Sequence, residues 1–483
     1  MHILRRLFGV EYMLPAGYDA ATCELPTSSS MYREFIRLAS PSVCEMVLIS
    51  LINMMDTIMV SGLGTDAVAA VGLVDQPRML MLCFFFALNV GITAVVARRK
   101  GEGRKEEANQ VVRNMILIIL GLSFVLMALA LPFADPLMRF AGAEKGRTLE
   151  DATKYFLIVG AALPANAISM GICAAQRGIG NTKLTMYVNI ISNLVNICFN
   201  YLLINGIGPF PRLGVIGAAI ATAMGMVVGL ILCLVSLFRG KGHDSFLQIS
   251  LKDDWRIKKR SVMDVLKVSS SAMLEQIAMR IGFFSYAKIV AELGTDAFAA
   301  HQIAMKFLNL SFCFADGLGV AGTSLVGQML GRGRKELSHI YGIIAQKFSL
   351  IVAIVIATCC VVFRSGLVSL FIRSDEGQHV RELAEIVMMI VGAFQPFQML
   401  AVVVSGALRG AGDVKYTAKI MLLTVSVMRP VLSLLAVYIL NNRLGLGDLA
   451  LMGCWSAALI DMIVRMILML KRYRGGKWHD IKV

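Results

Sequence analysis

PSVCEMVLISLINMMDTIMVSGLGTDAVAAVGL, residues 41–73, and SAMLEQIAMRIGFFSYAKIVAELGTDAFAAHQI, residues 271–303, are two copies of one stretch. A single displacement carries Gly64-Thr65-Asp66-Ala67 onto Gly294-Thr295-Asp296-Ala297 and Glu45 onto Glu275. Without a gap it also carries Gly101 onto Gly331 and Arg104-Lys105-Glu106 onto Arg334-Lys335-Glu336. Further along, Pro164 lies over Pro396, and Arg177-Gly178-Ile179-Gly180 over Arg409-Gly410-Ala411-Gly412. The chain is a tandem duplication with a unit of about half its length, far longer than a solenoid repeat of about 20–50 residues.

Composition fixes the medium in which the repeats fold. Of 483 residues, 57% are hydrophobic and 16% charged, with a mean hydropathy of +0.70. A soluble domain carries about 25% charged residues. Apolar runs above about 18 residues recur along the chain and read as transmembrane helices. The expected fold class is an all-α polytopic membrane protein. The net charge of +15 does not call for a nucleic-acid partner, because the basic residues cluster in short loops between spans, as the positive-inside rule requires. The ten cysteines lie mostly in apolar runs and form no C-x-x-C, so they read as small buried hydrophobes rather than disulfides or metal ligands. The 30 methionines suit either core filling or a wall that repacks around varied ligands.

Twelve spans are expected, six per repeat. The first six run from Leu38 to Ser61 and over 69–97, 113–134, 153–174, 184–205 and 215–238. The second six cover 264–291, 297–329, 343–371, 382–406, 416–440 and 448–470. Residues 1–30, with Arg5 and Arg6 but no long apolar core, form an N-terminal tail rather than a signal peptide. A first lobe then covers 31–238, a polar linker 239–260 (Arg239, Lys241, Lys252, Arg256, Lys258, Lys259, Arg260), a second lobe 261–471 and a basic tail 472–483. Even-numbered loops carry most of the Lys and Arg, which places them and both termini in the cytoplasm. An even number of spans per repeat makes the two lobes parallel repeats about an axis along the membrane normal, with a central cleft for cargo.

Charged side chains at membrane depth are expensive and mark candidate function. Span 1 holds Glu45 and Asp56, separated by about three helical turns and so on one face, about 16 Å apart along the axis. Asn53 lies near that face. Span 5 carries Asn189, Asn193, Asn196 and Asn200 at steps of four, three and four, a second polar stripe. Such stripes either hydrogen-bond neighbouring helices or line a polar path. In the second lobe Glu275 repeats Glu45, whereas Tyr286 stands where Asp56 would recur. Asp316 lies in span 8, with Arg280 of span 7 as its ion-pair partner on a structural reading. Asp461 and Arg465 form an i, i+4 pair, and Arg429 precedes Pro430 in span 11, either structural or lining the cleft. The glycine-rich runs at 177–183 and 331–335 lack phosphate-loop spacing and read as tight turns. Nothing marks an ATP site, a metal cluster or a catalytic nucleophile, so no enzyme is expected.

With these motifs the chain resembles the MATE family, the multidrug and toxic compound extrusion transporters, over roughly residues 31–470. The resemblance rests on MDTIMVSGLGTDAVAA at 55–70, LGTDAFAAHQIA at 293–304, LVGQMLGRG at 325–333 and the two R-G-x-G turns. It implies twelve helices in two six-helix lobes. It also implies export of cationic or amphipathic small molecules against inward Na+ or H+ flow, without a cofactor, by a monomer in the plasma membrane. Asp56 falls on the family's first-helix aspartate, and Asn196 and Asn200 on the fifth-helix polar pair of its proton-coupled archaeal branch, where the second is usually aspartate. Glu275 lies one turn before the seventh-helix glutamate of the sodium-coupled branch, whose own position is Met279. It matches the L-E-Q form of other bacterial members. The tenth-helix aspartate of that branch falls on Gln398. The coupling ion stays open between Na+, near Asp56 or Glu275, and H+. A lipid-linked saccharide flippase of the wider superfamily is the alternative cargo reading.

Overall fold

In a bilayer every backbone amide must be satisfied within the protein, and a chain this apolar meets that requirement with helices. The structure, a computed structural model, describes residues 9–15, 18, 23–142, 146–238, 246–372 and 377–481. Arg5, Arg6, Arg239 and Lys241 of the expected tail and linker lie outside the described residues. The first repeat forms α1 (Ser28–Ser61), α2 (Thr65–Gly101), α3 (Lys105–Ala130), the short α4 (Ala134–Phe140), α5 (Arg147–Ala161), α6 (Leu163–Gly178), α7 (Thr182–Asn205) and α8 (Val215–Phe238). The second forms α9 (Lys259–Ala291), α10 (Thr295–Gly331), α11 (Lys335–Val362), the short α12 (Arg364–Ser369) and α13 (Gln378–Gly410). It ends with α14 (Val414–Met421), a π-helical segment Leu422–Met428, α15 (Arg429–Ala436), a second π-helical segment Val437–Arg443, and α16 (Gly447–Arg474).

Among the described residues, 10 helices are long and apolar enough to cross a membrane, taking α14 to Arg443 as one. The pair α5–α6, bent by 48° at its break, adds an eleventh. Helix α9 supplies the length of the twelfth span, but Asp264, Lys267, Glu275, Arg280 and Lys288 keep it out of the apolar set. The twelve expected spans are thus all helical. Most helices run past the expected limits, because apolar windows see only the lipid-depth part of a helix whose ends stand in water. The fourth span, expected as one stretch, is broken just before Pro164, while its repeat mate α13 runs unbroken through Pro396. Proline removes one amide donor and so permits a break, but packing decides whether it occurs.

The described residues divide into two compact units, 44–269 and 1–43 with 270–483. The divisions fall inside α1 and α9, not in the connections around 31 and 239–260 where sequence drew them. In the second unit Met31, Phe35 and Ala39 of α1 join a core with Leu318, Leu325 and Ile340, and Phe35 stacks on Phe348 at 5.4 Å. In the first unit the leading turns of α9 lie on α2, where Arg99 pairs with Asp264 at 2.9 Å. The polar connection is clamped to the same unit by Arg113–Asp253 at 2.9 Å and by the Gln248 amide donating to Asn109 at 3.0 Å. The C-terminal segment caps the second unit, with Trp478 fully buried and stacked on Tyr473 at 4.9 Å.

The two R-G-x-G turns perform the same packing task in each unit. The last glycine of each takes a left-handed φ, 84° at Gly180 and 88° at Gly412. The first glycine of each allows a close helix crossing. A Cβ on Gly178 would lie 2.8 Å from the Thr93 carbonyl oxygen, and one on Gly410 would strike the Thr323 carbonyl. Below each crossing a threonine hydroxyl donates across it, Thr93 to the Ala174 carbonyl at 3.0 Å and Thr323 to the Gly406 carbonyl at 2.7 Å. Because the obstructing atoms are backbone, Gly178→Val and Gly410→Val should each cost about 1–3 kcal/mol by overpacking. Thermal unfolding in detergent should show both melting earlier, while Gly72→Ala, with open space around it, should melt like the wild type.

Candidate functional site

The two polar stripes read from the sequence meet in the first unit. Asn200 donates to Asp56 Oδ1 at 2.9 Å. With its amide oriented to satisfy both ends, Asn196 donates to both Asp56 oxygens at 3.0 Å and accepts from the Thr222 hydroxyl at 3.2 Å and amide at 3.1 Å. Asp56 is half-buried and Asn196 and Asn200 are buried. Asn200 Oδ1 finds no partner among the described residues, leaving a neutral acceptor beside the carboxylate. One end of the span-5 stripe therefore serves Asp56.

The other end serves Glu45. Asn189 donates to Glu45 Oε1 at 2.6 Å and Thr185 to Oε2 at 2.8 Å, while Arg177 of the R-G-x-G turn binds Oε1 at 3.0 Å. Asn193 donates to the Asn189 carbonyl at 2.8 Å. Asn53 is exposed, and its carbonyl accepts from Thr57 at 3.0 Å. Three of the four asparagines thus divide between two carboxylates of α1 with different partners, and Asn193 bonds the backbone of its own helix. Glu45 is neutralised by a guanidinium, whereas Asp56 is held by amides.

The second unit repeats the Glu45 arrangement. Glu275 meets Arg409 of its own R-G-x-G turn at 3.4 Å and accepts from Thr417 at 3.1 Å. Asp316 is accessible and lies within electrostatic range of Arg409 and Glu275. It has no counterpart of the Asp56 arrangement. Tyr286, in the Asp56 position, is buried edge-on to His301 and Trp455, at centroid distances of 5.3 and 6.2 Å. Met279 is half-buried, and Gln398 is buried with neither amide atom partnered among the described residues. Arg429 and Arg465 share Asp461: Arg429 Nε reaches Oδ2 at 2.8 Å, and Arg465 Nη2 reaches both oxygens at 2.8 Å. The expected Asp461–Arg465 pair is therefore a triad.

Some site residues escaped the sequence reading. Asp75 and Arg78, 3.8 Å apart on α2, satisfy the membrane-depth criterion, which was applied to other spans only. Arg78 lies within electrostatic range of Asp56. With Met81, Phe156, Asn166 and Met226 it lines a small depression in the first unit. Thr222, Thr185 and Thr417 are uncharged and carry no signal of their own, because their role depends on the helix they face. Arg177 and Arg409 were visible, but as parts of turns.

Comparison with known proteins follows the same repeats. The MatE family model matches residues 41–202 and again 271–435. The "Probable multidrug resistance protein NorM" of Thermotoga maritima is 29% identical over 451 residues, covering 92% of this chain and 93% of that protein. The "Multidrug resistance protein MdtK" of Yersinia pestis is 27% identical over 452 residues, covering 92% and 95%. In fold, a MOP superfamily transporter from Pyrococcus furiosus aligns with a TM-score of 0.83 at 24% identity, over 92% of this chain and 97% of the other.

Removing one partner of a buried ion pair costs about 3–5 kcal/mol, because the remaining charge stays buried. Arg177 and Arg409 keep side-chain exposures of 16% and 21%, so water offsets part of that loss. Arg177→Ala and Arg409→Ala should fall near the low end, about 3 kcal/mol. Glu45→Gln should be milder, because Thr185 and Asn189 remain to bond its amide. Chemical denaturation of the purified variants checks the order: equal stability in all three would show that the pairs contribute nothing.

Proposed function

The chain belongs to the MATE family of transporters, and on that footing we propose that it is a secondary active exporter of cationic or amphipathic small molecules. It works by alternating access, driven by inward Na+ or H+ flow across the plasma membrane, as a monomer with both termini in the cytoplasm. The multidrug names of its relatives support the cargo class. The observation that carries the reading is the contrast among the membrane-depth carboxylates. Glu45, Glu275 and Asp461 are each paired with arginine, whereas the hydrogen bonds to Asp56 come from Asn196 and Asn200.

Neutral donors fix the carboxylate without cancelling its charge, so Asp56 keeps the capacity to attract a cation or exchange a proton. Asn200 Oδ1 beside it is a hard oxygen of the kind that coordinates sodium. A proton on Asp56 would serve the same cycle, since cargo and proton would compete for one carboxylate. Met81 and Met226, in the small depression beside Arg78, are flexible thioethers of the kind that repack around varied cargo.

Proteoliposomes distinguish the drivers. Cation export under a sodium gradient alone, then under a proton gradient alone, should be sustained by one and not the other. In cells lacking their own pumps, expression should raise resistance to ethidium. Asp56→Asn should abolish most of that resistance with melting temperature preserved, Asn200→Ala should weaken it, and Glu45→Gln should harm it least. Wild-type efflux in Asp56→Asn would overturn the assignment. Export of lipid-linked saccharide without ethidium efflux would establish the flippase reading instead.

A further inference from the structure

The second unit holds a polar core apart from the Asp56 site. Arg429, Asp461 and Arg465 are 1%, 0% and 3% exposed. Arg465 takes both Asp461 oxygens and also donates from Nε to Thr424 at 3.1 Å. One nitrogen of Arg465, Nη2, spans the carboxylate, and Arg429 shares Oδ2 through Nε at 2.8 Å and Nη2 at 2.6 Å. Two guanidiniums against one carboxylate leave this group with one positive charge. Glu275 also lies within electrostatic range of Arg465, but it is committed to Arg409 and Thr417, with Asp316 beyond them. The wider set balances as three arginines against three acids, with the positive end at Arg429.

Around that end stand groups with no hydrogen-bond partner among the described residues. The Arg429 guanidinium lies over the ring faces of Phe283 and Tyr286, at 5.2 and 5.6 Å. Tyr286 Oη, Trp455 Nε1, His301 Nδ1 and Ser433 Oγ are buried and unpaired. Tyr286, His301 and Trp455 form one ring cluster, and Ser433 stands one turn beyond Arg429 on the same helical face. Each can donate a hydrogen bond, and the indole N–H can do nothing else. A buried unmade donor costs about 1–3 kcal/mol, so several around one positive charge call for a guest. A cation would meet a guanidinium. An acceptor-only guest with negative charge satisfies all of them. The π-helical segments on both sides of α15, a geometry that recurs at functional sites, are a second mark on the same place.

We propose that this core is a binding site for a small monoanion of chloride size, held by Arg429, Tyr286 and Trp455. The near-complete burial of all three favours a monatomic guest over a polyatomic one. The site does not depend on the cargo, so a thermal readout separates its failure from failure of the export reading.

The test is thermal unfolding of the purified full chain at constant sodium and ionic strength, with chloride replacing gluconate stepwise. The midpoint should rise and saturate with chloride. Tyr286→Phe removes one oxygen from the cage and should raise the half-saturating chloride concentration about tenfold, the equivalent of one hydrogen bond to an ion. Arg429→Met leaves Asp461 and Arg465 as a neutral pair and should abolish the response; should that variant not fold, Tyr286→Phe decides alone. Coincident wild-type curves in chloride and gluconate would mean that the core holds water only. An unshifted response in Tyr286→Phe would mean a general salt effect. Either result overturns the proposal.

Discussion

A carboxylate inside a membrane helix must find a partner or it will not stay charged there. The rest of this structure is arranged around how that demand is met twice. Glu45 and Glu275 each reach the arginine that opens an R-G-x-G turn, and each takes a threonine hydroxyl from the helix after it. The glycine following the arginine lets two helices cross with their backbones in contact, and the last glycine turns the chain. One motif thus sets a charge, a crossing and a reversal together. In a low-dielectric medium that combination tolerates little change at any of its positions.

With the frame doubled, the sites it carries were free to differ. At the position of Asp56 the second repeat has Tyr286, and the environment changes with it. Amides and a threonine surround the carboxylate, whereas rings and the Arg429 guanidinium surround the phenol. The units keep one architecture and present opposite electrostatic characters, as expected when folding depends on shared contacts and function on local chemistry.

The duplication, the helical class, the span positions and both polar stripes were legible in the sequence, because each is a matter of periodicity or self-similarity. What those stripes bind was not. Glu45 and Arg177 stand 132 positions apart in the chain, and no local rule couples them. Asn189 and Asn200 belong to one stripe yet serve different acids, and only the neighbouring helix decides which. The break before Pro164 and the continuity through Pro396 show the same limit, since one residue type yields two outcomes under different packing. The π-helical segments around Arg429 leave no mark in an apolar stretch whose period differs little from that of an α-helix. Arg78 is another matter, because its charge at membrane depth was open to the criterion already in use.

Helices α1 and α9 each change allegiance part-way along. Residues 28–43 belong to the core built by the second repeat, and the leading turns of α9 to the core built by the first. A polypeptide severed within 246–258 would therefore yield two pieces, neither owning a whole interior. The first piece would carry a helical segment of the other's core, and the second would carry the leading turns of α9 that pack on the first. Such pieces are obligate complements, and a half-length ancestor built this way is self-consistent only as an exchanged dimer, each copy lending its leading helix to the other.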